Sequence, residues 1–248
     1  MQEHTLSGGN ATDRVLHVGE TVRKPWTAAT PSVTAFVRAV LTAGVDVPQP
    51  LGKDEDGRSV QEFVHGTRAM DLAPMALDDL TRVGSIVRAI HDASAEFIPP
   101  ENATWESAIP APGCELVCHN DLAPWNLIIG ERWVFIDWDA AAPSTRLWDL
   151  AYATQAFTLN DPSQSPHAAA RNLAAFVDGY GADEATRTAL PAEMGRRAAA
   201  MHTLLKDAAP AGREPWASMY VNGHGAHWSA ATRYVEAHQD IWLNALAD

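Results

Sequence analysis

The chain has 248 residues, 46% of them hydrophobic and 20% charged, and no long low-complexity run, which excludes a disordered or fibrous class and leaves a folded chain able to bury a sizeable core. Its formal net charge of −13, from 31 acidic and 18 basic residues, would repel a phosphate backbone or an anionic bilayer. Neither nucleic acid nor membrane is expected as a partner, whereas a cationic substrate is compatible with that charge.

The N-terminus, MQEHTLSGGN, has no basic or apolar leader region, and no apolar run is long enough to cross a bilayer, so a cytoplasmic location is expected. RVLHV and TVRKPW read as short strands joined by a tight turn at Gly19-Glu20. Thr30 and Pro31 give an N-cap and N1 signal, and Val33, Phe36, Val37, Val40 and Leu41 recur at helical spacing before Gly44. RSVQEFVHG follows as a further strand ending at Gly66. From there helices dominate. Leu77, Leu80, Val83, Val87 and Ile90 form one face of a helix with Asp78 and Asp79 in its first turn, where carboxylates suit the macrodipole. A proline-rich connector leads to a predicted β-hairpin, NLIIGERWVFIDWD, turning at Gly130-Glu131-Arg132. Beyond about Leu147 the chain reads as helical, with Pro191 as a break or a helix start.

The segment that carries chemistry is VCHNDLAPWNLII, from Val117 to Ile129. An apolar frame around His119, Asn120, Asp121 and Asn126 calls for a use, because buried polar groups cost free energy unless paired. The hairpin would bring Asn126 and Asp137 to the same end of adjacent strands, where an amide oxygen and a carboxylate suit one or two Mg²⁺ ions. Asp121 would project into the same place as a carboxylate able to orient, and take the proton of, an attacking hydroxyl.

HNDLAPWN, FIDWDAAAP and LWDLA, in that order, resemble the H-G-D-x-x-x-x-N loop, the I-D-[WF]-[DE] segment and the D-L-A of the aminoglycoside phosphotransferase family, a branch of the protein-kinase-like fold. The resemblance is tightest from Val117 to Ala151. It implies an α+β, two-lobed fold: a small β-rich nucleotide lobe over residues 1–66, and a larger, mainly helical lobe over 67–248 that holds the catalytic loop, the metal hairpin and the acceptor region. It makes Asp121 the catalytic base and Asn126 and Asp137 the magnesium ligands. His119 would brace the catalytic loop, and Asp149 would accept hydrogen bonds from that loop's backbone. Asp139 is left between a second-metal contact and a solvent-facing residue. ATP or GTP is the implied co-substrate. Strand alternation puts Val22 and Lys24 on one face, so Lys24 rather than Arg23 is the expected phosphate cation, with Val22 on the base. Backbone groups of Glu62, Phe63 and Val64 would meet the base edge.

Two departures stand out. The helix from Pro31 to Ala43 has no acidic residue to pair with Lys24, and the phosphate-covering stretch LSGGNATDRV has Gly8 and Gly9 without G-x-G-x-x-G spacing, leaving Ser7, Asn10 and Thr12 as cover. The expected activity is transfer of the γ-phosphate to a hydroxyl of an aminoglycoside-like or other small acceptor. Choline-, homoserine- or sugar-type metabolites are alternatives, and a nucleotide-binding pseudokinase is the reading from another class. Asp178, Asp183, Glu184, Glu193, Glu236 and Asp240 would suit a cationic acceptor. Trp125, inside the loop, is a candidate for lining the acceptor site, while Trp138 and Trp148 read as core. Cys114 and Cys118 read as reduced core thiols, and His224 and His227 lack the partners of a metal pair.

Overall fold

The computed structural model describes residues 3–5, 15–72 and 74–247. It is an α+β protein with a small antiparallel sheet region followed by a larger helical part. Strands β1 (Glu3–Thr5), β2 (Leu16–Val18), β3 (Thr21–Lys24), β4 (Pro50–Lys53) and β5 (Ser59–Glu62) form one five-stranded sheet in the order β1-β2-β3-β5-β4. The β2–β3 hairpin turns at Gly19-Glu20, as its composition predicts. The LSGGNATDRV stretch lies outside the described residues, except for Val15 at its end.

Helix α1 (Thr30–Thr42) packs Phe36, Val37 and Val40 inward, matching the periodicity. Its N-cap is Ala29 rather than Thr30: the Thr30 hydroxyl points back to accept the Thr27 N–H at 2.9 Å, so Thr30 is already helical. Strand β5 stops at Glu62 instead of running to Gly66, and its partner β4 was not anticipated, because PQPLGKDEDG carries the Pro and Gly of a loop. From β5 the chain passes to a second sheet, in which β6 (Thr67–Arg68) pairs with β8 (Leu127–Ile129) and β8 with β9 (Trp133–Phe135). The crossing is close: a Cβ on Gly66 would stand 2.6 Å from the Ile129 carbonyl, and one on Gly130 2.6 Å from that of His65. Only glycine fits at either position.

Helix α2 (Leu77–Ala95) buries Leu80, Val83, Val87 and Ile90, but Leu77 in its first turn faces solvent. The predicted hairpin is present, with Leu127 opposite Phe135 and Ile129 opposite Trp133. β7 (Leu116–Cys118) and β10 (Ala142–Ser144) form a two-stranded ladder that flanks the polar segment, and α3 (Arg146–Thr158) follows directly. The helical part is completed by α4 (Pro166–Tyr180), α5 (Glu184–Ala211), α6 (Trp216–Met219), α7 (Gly225–Ala237) and α8 (Gln239–Leu246).

Pro191 does not break or start a helix. It lies buried inside the continuous α5, where it costs one intrahelical hydrogen bond, and its carbonyl is taken up by the Gln239 side chain at 3.0 Å. Cys118 is buried but Cys114 is exposed, so only one of the two thiols belongs to the core. The main core joins both regions, with Phe36 from α1 packed in the same cluster as Leu80, Ile90, Phe135, Leu150, Phe176 and Trp242. Burying each such side chain stabilises the fold by about 1.5–3 kcal/mol.

Candidate active site

The polar residues of the central segment converge, and most of their polar groups are paired within the fold. His119 is fully buried. Its Nδ1 accepts the Asp121 backbone N–H at 3.2 Å, which fixes the proton on Nε2, and that nitrogen donates to the Ile136 carbonyl at 3.1 Å. Burial pushes the imidazole pKa down, so the ring is neutral in this role. One side chain thereby ties the loop to the strand that precedes Asp137.

Asn120 occupies the position of the family's glycine and has the conformation that explains both residues: its φ is 63°. Asparagine tolerates this region, and its amide adds what glycine lacks. Nδ2 donates to the carbonyls of Cys118, Ala140 and Ala142 at 3.2–3.3 Å, stitching the loop to the turn beyond the hairpin. The Asn120 N–H donates to Asp149 Oδ1 at 2.9 Å, and Asp149 Oδ2 faces His91 Nε2 at 3.0 Å, with His91 Nδ1 2.9 Å from the Tyr180 hydroxyl. Asp149 and His91 are fully buried. His91, Cys118 and Asp149 are also the one trio of potential ligands found close together among the described residues. Their atoms are committed to one another, to Tyr180 and to the Thr145 carbonyl, so the trio reads as a brace.

Asp121 stands between two donors. The Tyr152 hydroxyl donates to Oδ1 and Asn126 Nδ2 to Oδ2, each at 2.8 Å. Burial raises the carboxyl to about 6 against the pull of those donors, with the charge of Asp137 adding to the rise. Arg197 from α5 lies 4.2 Å above the Tyr152 ring and donates to the Asn120 carbonyl at 3.4 Å. Neither Tyr152 nor Arg197 was anticipated. Tyr152 lies three residues beyond Asp149 on one helix, a spacing that could have placed it, whereas Arg197 gives no local signal.

The hairpin brings Asn126 and Asp137 together: the Ile136 N–H donates to the Asn126 carbonyl at 2.8 Å, so Asp137 leaves its strand beside Asn126. Asn126 Nδ2 also donates to the Asp121 carbonyl at 2.9 Å, so the amide nitrogen is fully engaged and Oδ1 is the atom it can offer. Asp137 has φ 63° and ψ 60°, a left-handed backbone conformation that few non-glycine residues adopt.

Val22 and Lys24 share the buried face of β3, while Arg23 on the other face pairs with Asp54 at 3.3 Å. Lys24 Nζ contacts Asp137 Oδ1 at 2.5 Å and Asp139 Oδ2 at 2.9 Å. Burial works against the ammonium, but the two carboxylates more than offset it and its pKa is raised, while Lys24 holds Asp137 below the usual carboxylate range.

Backbone groups of the strap from Glu62 to Val64 are only partly available. The Glu62 N–H goes to the Gln49 carbonyl at 2.9 Å and that of Phe63 to the Glu20 carbonyl at 3.0 Å, so neither donor is free for a base edge. The Glu62 side chain pairs with Arg132, and Phe63 stacks on His17 at 3.9 Å.

Three of the six helical acidic residues are spent on the fold. Asp178 pairs with Arg187 at 2.6 Å, Asp183 caps α5 through the Thr186 N–H at 2.8 Å, and Glu193 pairs with Arg196 at 2.5 Å. Trp138 and Trp148 are buried, Trp125 is partly exposed with its ring 6.4 Å from Tyr152, and His227 meets Asn160 at 3.0 Å.

Comparison with known proteins bears on the family and the fold. Residues 101–185 match the model of the phosphotransferase enzyme family, APH, so the resemblance read from the motifs stands. A trifolitoxin immunity protein of Rhizobium leguminosarum bv. trifolii is 30% identical over 158 residues, 61% of this chain and 60% of that relative; the chain thus matches about three fifths of the relative's length. Among solved structures, a choline/ethanolamine kinase family protein from Mesorhizobium loti superposes with a TM-score of 0.64 at 18% identity, covering 99% of this chain and 92% of its own. An amicoumacin kinase in complex with AMP-PNP, Ca²⁺ and Ami gives 0.63 at 12% identity, covering 92% and 87%. Likeness at such low identity concerns the fold. Among the described residues no helix is long and apolar enough to cross a membrane.

Proposed function

We propose, from the premise that this chain carries the phosphotransferase enzyme family segment within a kinase-like fold, that it is a small-molecule kinase moving the γ-phosphate of ATP or GTP to an acceptor hydroxyl. The observation that carries the reading is Asp121, fixed between Tyr152 and Asn126 with a pKa of about 6. A carboxylate so placed is ionised at neutral pH, yet basic enough to take a proton. In the reaction the acceptor oxygen bonds to the γ-phosphorus, the bond from that phosphorus to the β-γ bridging oxygen breaks, the hydroxyl proton passes to Asp121 and nucleoside diphosphate leaves.

The remaining residues align and neutralise. Lys24 supplies the cation for the α- and β-phosphates, Val22 packs on the base, and the strap at Val64 meets its edge. Asn126 Oδ1 and the Asp137 carboxylate are hard oxygen donors that fit Mg²⁺, with the Asn126 nitrogen turned away to Asp121. When bound there, the ion offsets charge on the transferred phosphate. We place the division between nucleotide and acceptor lobes at Gly66, after which the chain joins the sheet of the hairpin.

The acceptor is read as a small hydroxyl-bearing molecule, with the partly exposed Trp125 beside Tyr152 as part of its wall. An amino-alcohol is favoured by the likeness to the choline/ethanolamine kinase family protein, and a toxin or antibiotic by the trifolitoxin immunity relative. The test is magnesium-dependent consumption of ATP and GTP over a panel of amino alcohols, aminoglycosides, peptide toxins and sugars. Acceptor-stimulated turnover is expected, falling about 10²–10⁴-fold in Asp121→Asn with the thermal midpoint held. Nucleotide binding without turnover for any acceptor would move the chain to the pseudokinase class.

A further inference from the structure

Kinase-like sites use a helix carboxylate to hold the strand lysine, and α1, TPSVTAFVRAVLT, has none to give. Beside Lys24 the structure instead has a cavity of about 290 Å³, lined by Lys24, Thr34 and Val37 of α1, Ser59, Gln61 and Asp139. Short α1 side chains leave that space open on the helix side. Asp139 also lines it, with Oδ2 2.9 Å from Lys24 Nζ.

Asp139 is also mechanically tied to α1. It lies on the single 3₁₀ turn Trp138–Ala140, and the Trp138 ring packs edge-on against Phe36 of α1 at 5.6 Å and 4.6 Å from the ring of His119. One turn therefore links the helix, the catalytic loop and the lysine. Asp137, the other partner of Lys24, is the carboxylate needed for metal. Once it is so engaged, Asp139 is the anion left to hold the ammonium.

We infer that Asp139 replaces the absent helix carboxylate as the positioning residue for Lys24, supplied by the same segment as the metal ligand rather than by α1. This rests on the kinase reading above. It differs from a metal-ligand role for Asp139 in where the loss is felt: at the lysine, and repairable from α1.

Lys24, Lys53 and Lys206 are the chain's three lysines, so amine labelling followed by peptide mass spectrometry reports Lys24 cleanly. The labelling is done with excess Mg²⁺, alongside nucleotide kinetics, on the wild type, Asp139→Asn, Thr34→Glu and the double variant. Asp139→Asn is expected to raise the Lys24 labelling rate several-fold and lower kcat/KM for nucleotide about tenfold, the equivalent of about 1.4 kcal/mol. Thr34→Glu in that background should return both toward wild type. A variant whose only change is a higher Mg²⁺ requirement, with Lys24 labelling as in wild type, would overturn the inference. So would a folded double variant without recovery. A wild type that consumes and binds no nucleotide would instead overturn the kinase reading, and this inference with it.

Discussion

The polar segment proposed as catalytic and the sheet proposed to meet nucleotide are held in opposite ways. From His119 to Asp149 the loop is braced within its own neighbourhood: buried side chains accept backbone N–H groups, and the Asn120 amide closes on three carbonyls. On the sheet side Lys24 is held by Asp137 and Asp139, residues 113 and 115 positions away. The first arrangement is rigid before any ligand arrives. The second is a set of charges whose partners can exchange between protein carboxylates and phosphate, so ligand binding should reorganise the sheet side and leave the loop as it is.

Removing the charge on the sheet side gives the largest effect on this contrast. Lys24→Met should raise KM for nucleotide and lower kcat, a combined loss of about 10²-fold or more, while the loop and its thermal midpoint stay close to wild type. Nucleotide kinetics beside a melting curve check this. A large fall in melting temperature would mean that the ion pairs carry stability as well as function.

Breaking the brace should show the reverse profile. Asp149→Ala strands the Asn120 N–H and His91 Nε2 in a fully buried place, a cost of about 3 kcal/mol. Chemical denaturation is the measurement, with turnover lost in step with the fold. Equal stability in this variant would contradict the reading of Asp149 as the loop's anchor.

Asn120 offers a finer separation of conformation from hydrogen bonding. Asn120→Ala loses three amide contacts and puts a plain side chain at φ 63°, which should cost about 2 kcal/mol; Asn120→Gly loses the same contacts without the backbone strain and should cost about 1 kcal/mol less. Two denaturation curves decide it, and alanine matching glycine would remove strain from the account.

Much of this was legible in the sequence, and what was missed has a common character. The hairpin and α1 rest on local spacing, and each appears where the Gly130 turn and the helical periodicity put it. Strand β4 was hidden by its own proline and glycine and exists because β5 pairs with it. The partners of Lys24 were unreadable because the contact joins two ends of the fold, and no residue near Lys24 announces Asp139. Arg197 reaches Tyr152 from a helix whose pattern is nearly featureless. Pro191 misled because its punctuating effect assumes an isolated helix, whereas α5 packs against α3 and α7, which hold it in place despite the one missing intrahelical hydrogen bond.

The smallest expected effect concerns pH and the loop's neutral histidine. His119 has its pKa lowered by burial, so on acidification the unfolded chain binds a proton near the usual value of about 6.5 while the folded one resists. With more protons on the unfolded state, stability rises with pH across the window between the depressed folded value and about 6.5, and is lost as pH falls through it. His119→Gln keeps an amide able to donate to the Ile136 carbonyl and accept from the Asp121 N–H, but cannot titrate. Its midpoint at neutral pH should sit slightly below that of wild type, and the gap should narrow as the buffer is taken below 6.5. Parallel melting curves across that range would show that protonation of His119 is not resisted by the fold, and that the loop tolerates a charged ring where the geometry has room only for a neutral one.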